Sequence, residues 1–236
     1  MKTVLDECLR QLDRSLEEFP WQLKPAYGDW LAQTYYYVSH STRLLAASAA
    51  RFPCDERGNA FHHRFGAHIA EEKKHELLCL HDLKVLGLGV RDFPERHTTR
   101  MFYEPQYFKV EHQDPLALFG YILPLEAMSV SKGPWILERV HAAHGERASA
   151  FLKVHVNDDE DHLAKAFVAL EAATEAQRAL IEQNLRQTTA GYRAMLRDIM
   201  QRDVLLQDTV RMGTTPSDAV QQVGSVAARQ PVHGGR

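Results

Sequence analysis

Apolar residues recur every three or four positions along almost the whole chain, and no stretch alternates strictly between apolar and polar. That period predicts helices throughout and no strands. Val4, Leu5, Cys8, Leu9, Leu12 and Leu16 form the first stripe, with Thr3 as its candidate cap. Pro20 and Pro25 bracket a break. A second helix is predicted from about Asp29 to Phe52, where Pro53 ends it. A third runs from Asp55 or Glu56 to Leu86 and stops at Gly87 and Gly89. Residues 87–113 hold Pro94 and Pro105 and show no clear period. They read as a long irregular connection made sticky by Phe102, Tyr103, Tyr107 and Phe108. A fourth helix starts at Asp114-Pro115, is expected to kink at Pro124 and to kink or break at Gly133-Pro134, and ends near Gly145. The fifth covers Phe151 to Phe167. The sixth begins at Thr174, with Gln177 completing a capping box, and runs to about Leu206. The expected architecture is all-α: one domain over residues 1–206, a bundle of about seven helices. A polar, Gly-containing C-terminal tail, 207–236, follows it.

Composition narrows the class. The chain has 236 residues, 44% of them hydrophobic, enough for a substantial core. The net charge of −3 leaves no basic footprint for nucleic acid or for an anionic membrane. No apolar run approaches the ~18 residues of a membrane span. The first helix is amphipathic rather than a signal peptide. Three cysteines, Cys8, Cys54 and Cys79, form no Cys-x-x-Cys pair, so neither a disulfide framework nor a thiolate zinc site is indicated. A reduced, cytoplasmic setting is the expectation. Histidine stands out, with 13 copies, many of them between residues 62 and 81 and between 141 and 162.

The chemistry starts with the fifth helix. His155, Asp159 and His162 are spaced by four and three residues, which at about 100° per residue places them within roughly 60° of one another. Two imidazoles and a carboxylate on one stripe suit iron, manganese or zinc. The competing interpretation is a solvated acidic face, because Asp158, Glu160 and Asp161 lie in the same stretch. On the third helix Glu72 and His75 stand three residues apart, a Glu-x-x-His pair that can offer a carboxylate and an imidazole from one face. His68 shares that face as an alternative ligand or a supporting donor. On the fourth helix Glu126 sits among Tyr121, Ile122, Leu123, Leu125, Ala127 and Met128. A carboxylate in such company is buried only if it is paired or holds a metal. Three helices thus present Glu72 with His75, Glu126, and His155 with Asp159 and His162, a natural complement for two bridged iron ions.

This layout resembles the haem-oxygenase-like diiron oxygenases, over roughly residues 30 to 205. His155-x-x-x-Asp159-x-x-His162 is similar to the third ligand helix of that family, and Glu126 stands where its central Glu is expected. Glu72-x-x-His75 is similar to the first ligand helix of the fatty-acid-decarboxylating members. Other members carry a Glu seven residues before that His, where this chain has His68. The resemblance implies a haem-oxygenase-like bundle that binds two Fe(II) per chain and takes dioxygen as co-substrate. It implies N-oxygenation of an amine or amino-acid-derived substrate, or oxidative C–C cleavage of a fatty or amino acid. The partners expected are a small-molecule substrate and an external electron donor, with no nucleic acid and no membrane; a homodimer is compatible with the fold. Tyr36 and His40 on the second helix and Trp135 on the fourth are the expected substrate wall, with Lys132 and Arg139 as candidate carboxylate holders. Two alternatives stand beside this reading. One is a metal-free, thiaminase-like or cofactorless oxidase on the same fold. The other is a ferritin-like diiron protein that would use a second pair, Glu138-x-x-His141.

Overall fold

The structure, a computed structural model, describes residues 1–211; the side chains of 158–162 and 202–211 and the whole of 212–236 lie outside the described residues. Most of the tail expected at 207–236 therefore lies outside them. Among the described residues there are nine α-helices and no strand. They are α1 (Lys2–Glu18), α2 (Lys24–Val38), α3 (Ser41–Ala49), α4 (Glu56–Glu72), α5 (Glu76–Val85), α6 (His97–His112), α7 (Phe119–His144), α8 (Ala150–Leu170) and α9 (Glu175–Arg211). No helix among the described residues is long and apolar enough to cross a membrane.

The spine is α9, which packs against α1, α2, α6 and α7. Its buried stripe of Ile181, Leu185, Tyr192, Met195, Leu196 and Ile199 keeps the helical period over five turns. Its start is fixed by the reciprocal box read from sequence: Thr174 N–H donates to Gln177 Oε1 at 3.1 Å, and Gln177 N–H donates to Thr174 Oγ1 at 3.3 Å. A second central helix, α7, is held between α8 on one side and α9 and α1 on others. Two glycines permit that closeness. A Cβ on Gly120 would stand 2.3 Å from the Ile181 carbonyl oxygen, and one on Gly133 would stand 2.6 Å from Val156 Cγ2. Gly133 is thus the crossing point of α7 and α8 rather than a break, and α7 runs continuously with Pro124 and Pro134 inside it.

Four expectations need correction. The helix read from Asp29 to Phe52 is two, α2 and α3, interrupted at Ser39-His40, and the one read from 55 to 86 is α4 and α5. The connection read as irregular holds α6, with Pro105 inside. Its buried face is Thr99, Phe102, Tyr103, Gln106, Lys109 and Val110, a helical stripe half made of polar residues, which hides the apolar period. At the N-terminus, α1 begins at Lys2 after Met1, so Thr3 is not its cap.

Candidate metal centre

Glu72 is the last residue of α4 and His75 is the residue that caps α5, so the pair does not share one helix face as the spacing had implied. The chain leaves α4 at Lys73 in an extended conformation and passes Lys74 at φ +74° before re-entering helix. A left-handed conformation costs a lysine ~1–2 kcal/mol. What it achieves is the juxtaposition of the two side chains: His75 Nδ1 lies 3.5 Å from Glu72 Oε2. The His75 ring also meets that of His155 on α8, with centroids 5.0 Å apart. Metal-binding atoms of Glu72, His75 and His155 all lie within 4.8 Å of one another.

The cluster extends to α7. His68, one turn before Glu72 on α4, places Nε2 3.5 Å from Glu72 Oε1 and 3.3 Å from Glu126 Oε1. His68 is 4% exposed and Glu126 5%. Burial alone would raise the Glu72 carboxyl, but the imidazoles of His68 and His75, with His155 nearby, outweigh it and hold Glu72 well below the usual carboxylate range. It is a carboxylate at any working pH and needs to release no proton to bind a cation. His155 Nδ1 lies 2.8 Å from the Phe151 carbonyl oxygen, which can only accept, so that nitrogen carries the proton and Nε2 keeps its lone pair. Asp159 and His162 follow His155 by one and two turns of α8, and their side chains lie outside the described residues.

The start of α8 is held by a residue outside the expected ligand set. Asp82, on α5 and fully buried, accepts from Ala150 N–H at Oδ1 and from Phe151 N–H at Oδ2, both at 2.9 Å. It satisfies two of the free amides that open α8, one turn before His155. Asp82 stands between His81 and Leu83, with Lys84 next, so its sequence neighbours give a weaker signal than the apolar run around Glu126.

His68, Glu72, Glu126 and His155 form one end of a cavity of about 110 Å³. The remaining wall is largely apolar: Leu44 and Leu45 of α3, Ile122 and Leu125 of α7 and Phe151 of α8, with Trp30, Tyr37, Tyr121 and Tyr192. Trp30 Nε1–H donates to the Tyr192 hydroxyl at 3.0 Å. The three expected wall residues do not line this cavity. Tyr36 turns to the outer side of α2 and donates to the Phe93 carbonyl at 3.2 Å. His40, in the break between α2 and α3, stacks on Tyr103 at 4.0 Å and pairs through Nδ1 with the Tyr107 hydroxyl at 2.8 Å. Trp135 lies under Arg139, 3.5 Å from the ring centroid, and Lys132 pairs with Glu17 at 2.5 Å. On α2 the inward rings are Trp30 and Tyr37, and consecutive tyrosines point about 100° apart, so only one of the three can face the centre.

The second Glu-x-x-His pair stays outside the cluster. Glu138 is exposed, and His141 Nε2 pairs with Ser149 Oγ at 2.7 Å in the connection to α8.

Residues 28–195 match the model of a family described as iron-containing redox enzyme. No curated protein matches the chain. Among solved structures, the fold is similar to a domain of unknown function with a haem-oxygenase-like fold from Shewanella denitrificans, at TM-score 0.77 and 18% identity, covering 88% of this chain and 95% of that one. It is also similar to a TenA homologue from Pseudomonas syringae, at TM-score 0.71 and 11% identity, covering 85% and 92%. A TenA homologue from Pyrococcus furiosus aligns at TM-score 0.58 and 13% identity, covering 83% and 98%. At these identities the neighbours show the fold alone. The family match spans well over half of the chain, which therefore belongs to the iron-containing redox enzyme family, on a haem-oxygenase-like fold.

Proposed function

We propose that the chain is a non-haem diiron oxygenase that activates dioxygen to oxidise a small molecule, by N-oxygenation or by oxidative C–C cleavage. The observation that supports this best is the convergence of Glu72, His75 and His155, with Glu126 beside them, at the end of an apolar cavity. Buried carboxylates facing imidazoles form a donor set that fits iron. Glu72, His75, Glu126 and His155, with Asp159 and His162 from α8, would hold two Fe(II) ions. Bound Fe(II) would supply electrons and open coordination positions for dioxygen.

The chain's own residues do the rest. Glu72, held below the usual carboxylate range by its imidazole neighbours, offers a negative charge. His155 is oriented by the Phe151 carbonyl, and α8 is held in place by Asp82. The apolar wall excludes water and places the apolar part of a substrate against the ligand cluster. A metal-free reading built on a cysteine nucleophile has less support: no cysteine is among the lining residues, and burial pushes the Cys79 thiol well above its ordinary value.

The test is to load full-length protein anaerobically with Fe(II), then admit dioxygen. About two ions per chain are expected, with dioxygen uptake faster than that of the same Fe(II) free in buffer. Uptake no faster than that of free iron, or retention of zinc alone, contradicts the proposal.

A further inference from the structure

A lysine is rarely buried without a counter-charge, and this bundle holds one. Lys109, in the last turn of α6, is 7% exposed and is the only buried lysine among the described residues. Its ammonium carries three N–H groups. One reaches Gln187 Oε1 on α9 at 2.5 Å, and no carboxylate pairs with it among the described residues. Other lysines with a printed contact between helices do have one: Lys132 meets Glu17 and Lys165 meets Glu71. A glutamine oxygen accepts a hydrogen bond but brings no charge. A cation in the last turn of α6 opposes the negative end of the helix dipole, which explains part of its position. That leaves two N–H groups unused. Burial pulls this ammonium below its ordinary 10.5, a cost that an anion beside it would offset.

Lys109 lines a groove of about 320 Å³ between α6 and α9, within the range of small-ligand sites. It is the only charged side chain among the lining residues, and none of them lines the cavity at the metal centre. Gln113, Gln183 and Gln187 bring exposed carboxamides, whose N–H groups can donate to an anion. The remaining wall is apolar. Four large hydrophobic side chains stand exposed among the described residues, and two of them are here: Met101 at 71% and Phe108 at 59%. With Pro105 between them they are spaced by four and three residues, so they share one face of α6. From Met101 to Lys109 the helix rises about 12 Å, room for a medium-length alkyl chain. An apolar shelf ending at a cation without a carboxylate complements a molecule with an apolar chain and one negative charge. A phosphate monoester would leave its second charge unbalanced.

We propose that the groove between α6 and α9 binds a small amphiphilic carboxylate, with Lys109 holding the carboxylate and Met101, Pro105 and Phe108 supporting the apolar chain. The test uses full-length protein as purified and two probes of nearly one shape, octanoate and 1-octanol, both below micellar concentration. Affinities are measured by calorimetry for the wild type, Lys109→Gln and Phe108→Ser. Lys109→Gln is expected to weaken octanoate by about tenfold, the scale of one hydrogen bond to a charged group, and to leave 1-octanol unchanged. Phe108→Ser changes an exposed residue that the fold does not need, and it is expected to weaken both probes. Octanoate held instead in the cavity at the metal centre would be indifferent to both variants, and that result overturns the proposal. So does an equal effect of Lys109→Gln on the two probes. Absence of octanoate binding to the wild type, as when a second copy of this chain covers the groove, overturns it as well.

Discussion

Two partly buried polar clusters in this bundle are built in opposite ways. Around Arg96, which precedes α6, opposite charges meet at hydrogen-bond length: Nη2 reaches Asp29 at 2.5 Å and Nη1 reaches Asp198 at 2.9 Å. Gln33 gives its amide to Asp29 at 2.8 Å and accepts from Thr99 at 2.7 Å, while Thr98 donates to Asp198 at 2.7 Å. The cluster ties α2 to α9 and is complete without any ligand. Around Glu72 the partners are imidazoles, at 3.3 to 3.5 Å, and no lysine or arginine lines that cavity among the described residues. An imidazole balances a carboxylate only when protonated, whereas a metal ion balances several at once. A cluster closed by its own arginine holds the fold; one made of carboxylates and imidazoles is chemically able to take up a cation.

The sharpest way to break this contrast is Arg96→Ala. It leaves Asp29, 1% exposed, without the guanidinium that balances it. A loss of ~3–5 kcal/mol in unfolding free energy is expected, measured by urea denaturation, with iron bound per folded chain unchanged. A loss under 1 kcal/mol, or a fall in iron content of the folded chain, would erase the distinction between the clusters.

Asp82 lies between the two cases, a structural carboxylate in the service of the site. Asp82→Asn should cost ~1 kcal/mol through weaker capping of α8. Its pH dependence has a defined sign. Burial pushes the Asp82 carboxyl above its ordinary 3.8, against the pull of the Phe151 and Ala150 amides. The folded chain then holds this proton more tightly than the unfolded one, so the stability it contributes is present below that ordinary value and is lost as pH rises through the raised one. The advantage of wild type over Asp82→Asn should therefore shrink as pH rises through that window. A widening gap in urea melts across the same range would show that the amides, not burial, dominate.

How much of this was legible in the chain depends on where the signal lay. The all-α class followed from periodicity, and Glu126 from a charge placed among apolar residues. The break at Lys74 was not legible, because Lys73 and Lys74 are good helix formers and nothing local asks for a turn; the positive φ belongs to the tertiary arrangement that joins Glu72 to His75. Which rings line the cavity was not legible for a related reason. Tyr35, Tyr36 and Tyr37 are equivalent in composition, and the packing of α2 against its neighbours decides that Tyr37 turns inward while Tyr36 meets the segment before α6.

If Glu126 holds iron and Glu138 does not, the two alanine variants must separate in one assay. Glu126 is 5% exposed and 3.3 Å from His68, whereas Glu138 is exposed on another side of the same helix. Fe(II) bound per chain, measured after anaerobic loading and removal of free metal, should fall well below the wild-type stoichiometry in Glu126→Ala and stay at the wild-type value in Glu138→Ala. Circular dichroism should show both variants fully helical. Iron retained by Glu126→Ala and lost from Glu138→Ala would contradict both the ligand set and the placement of the metal centre in the bundle.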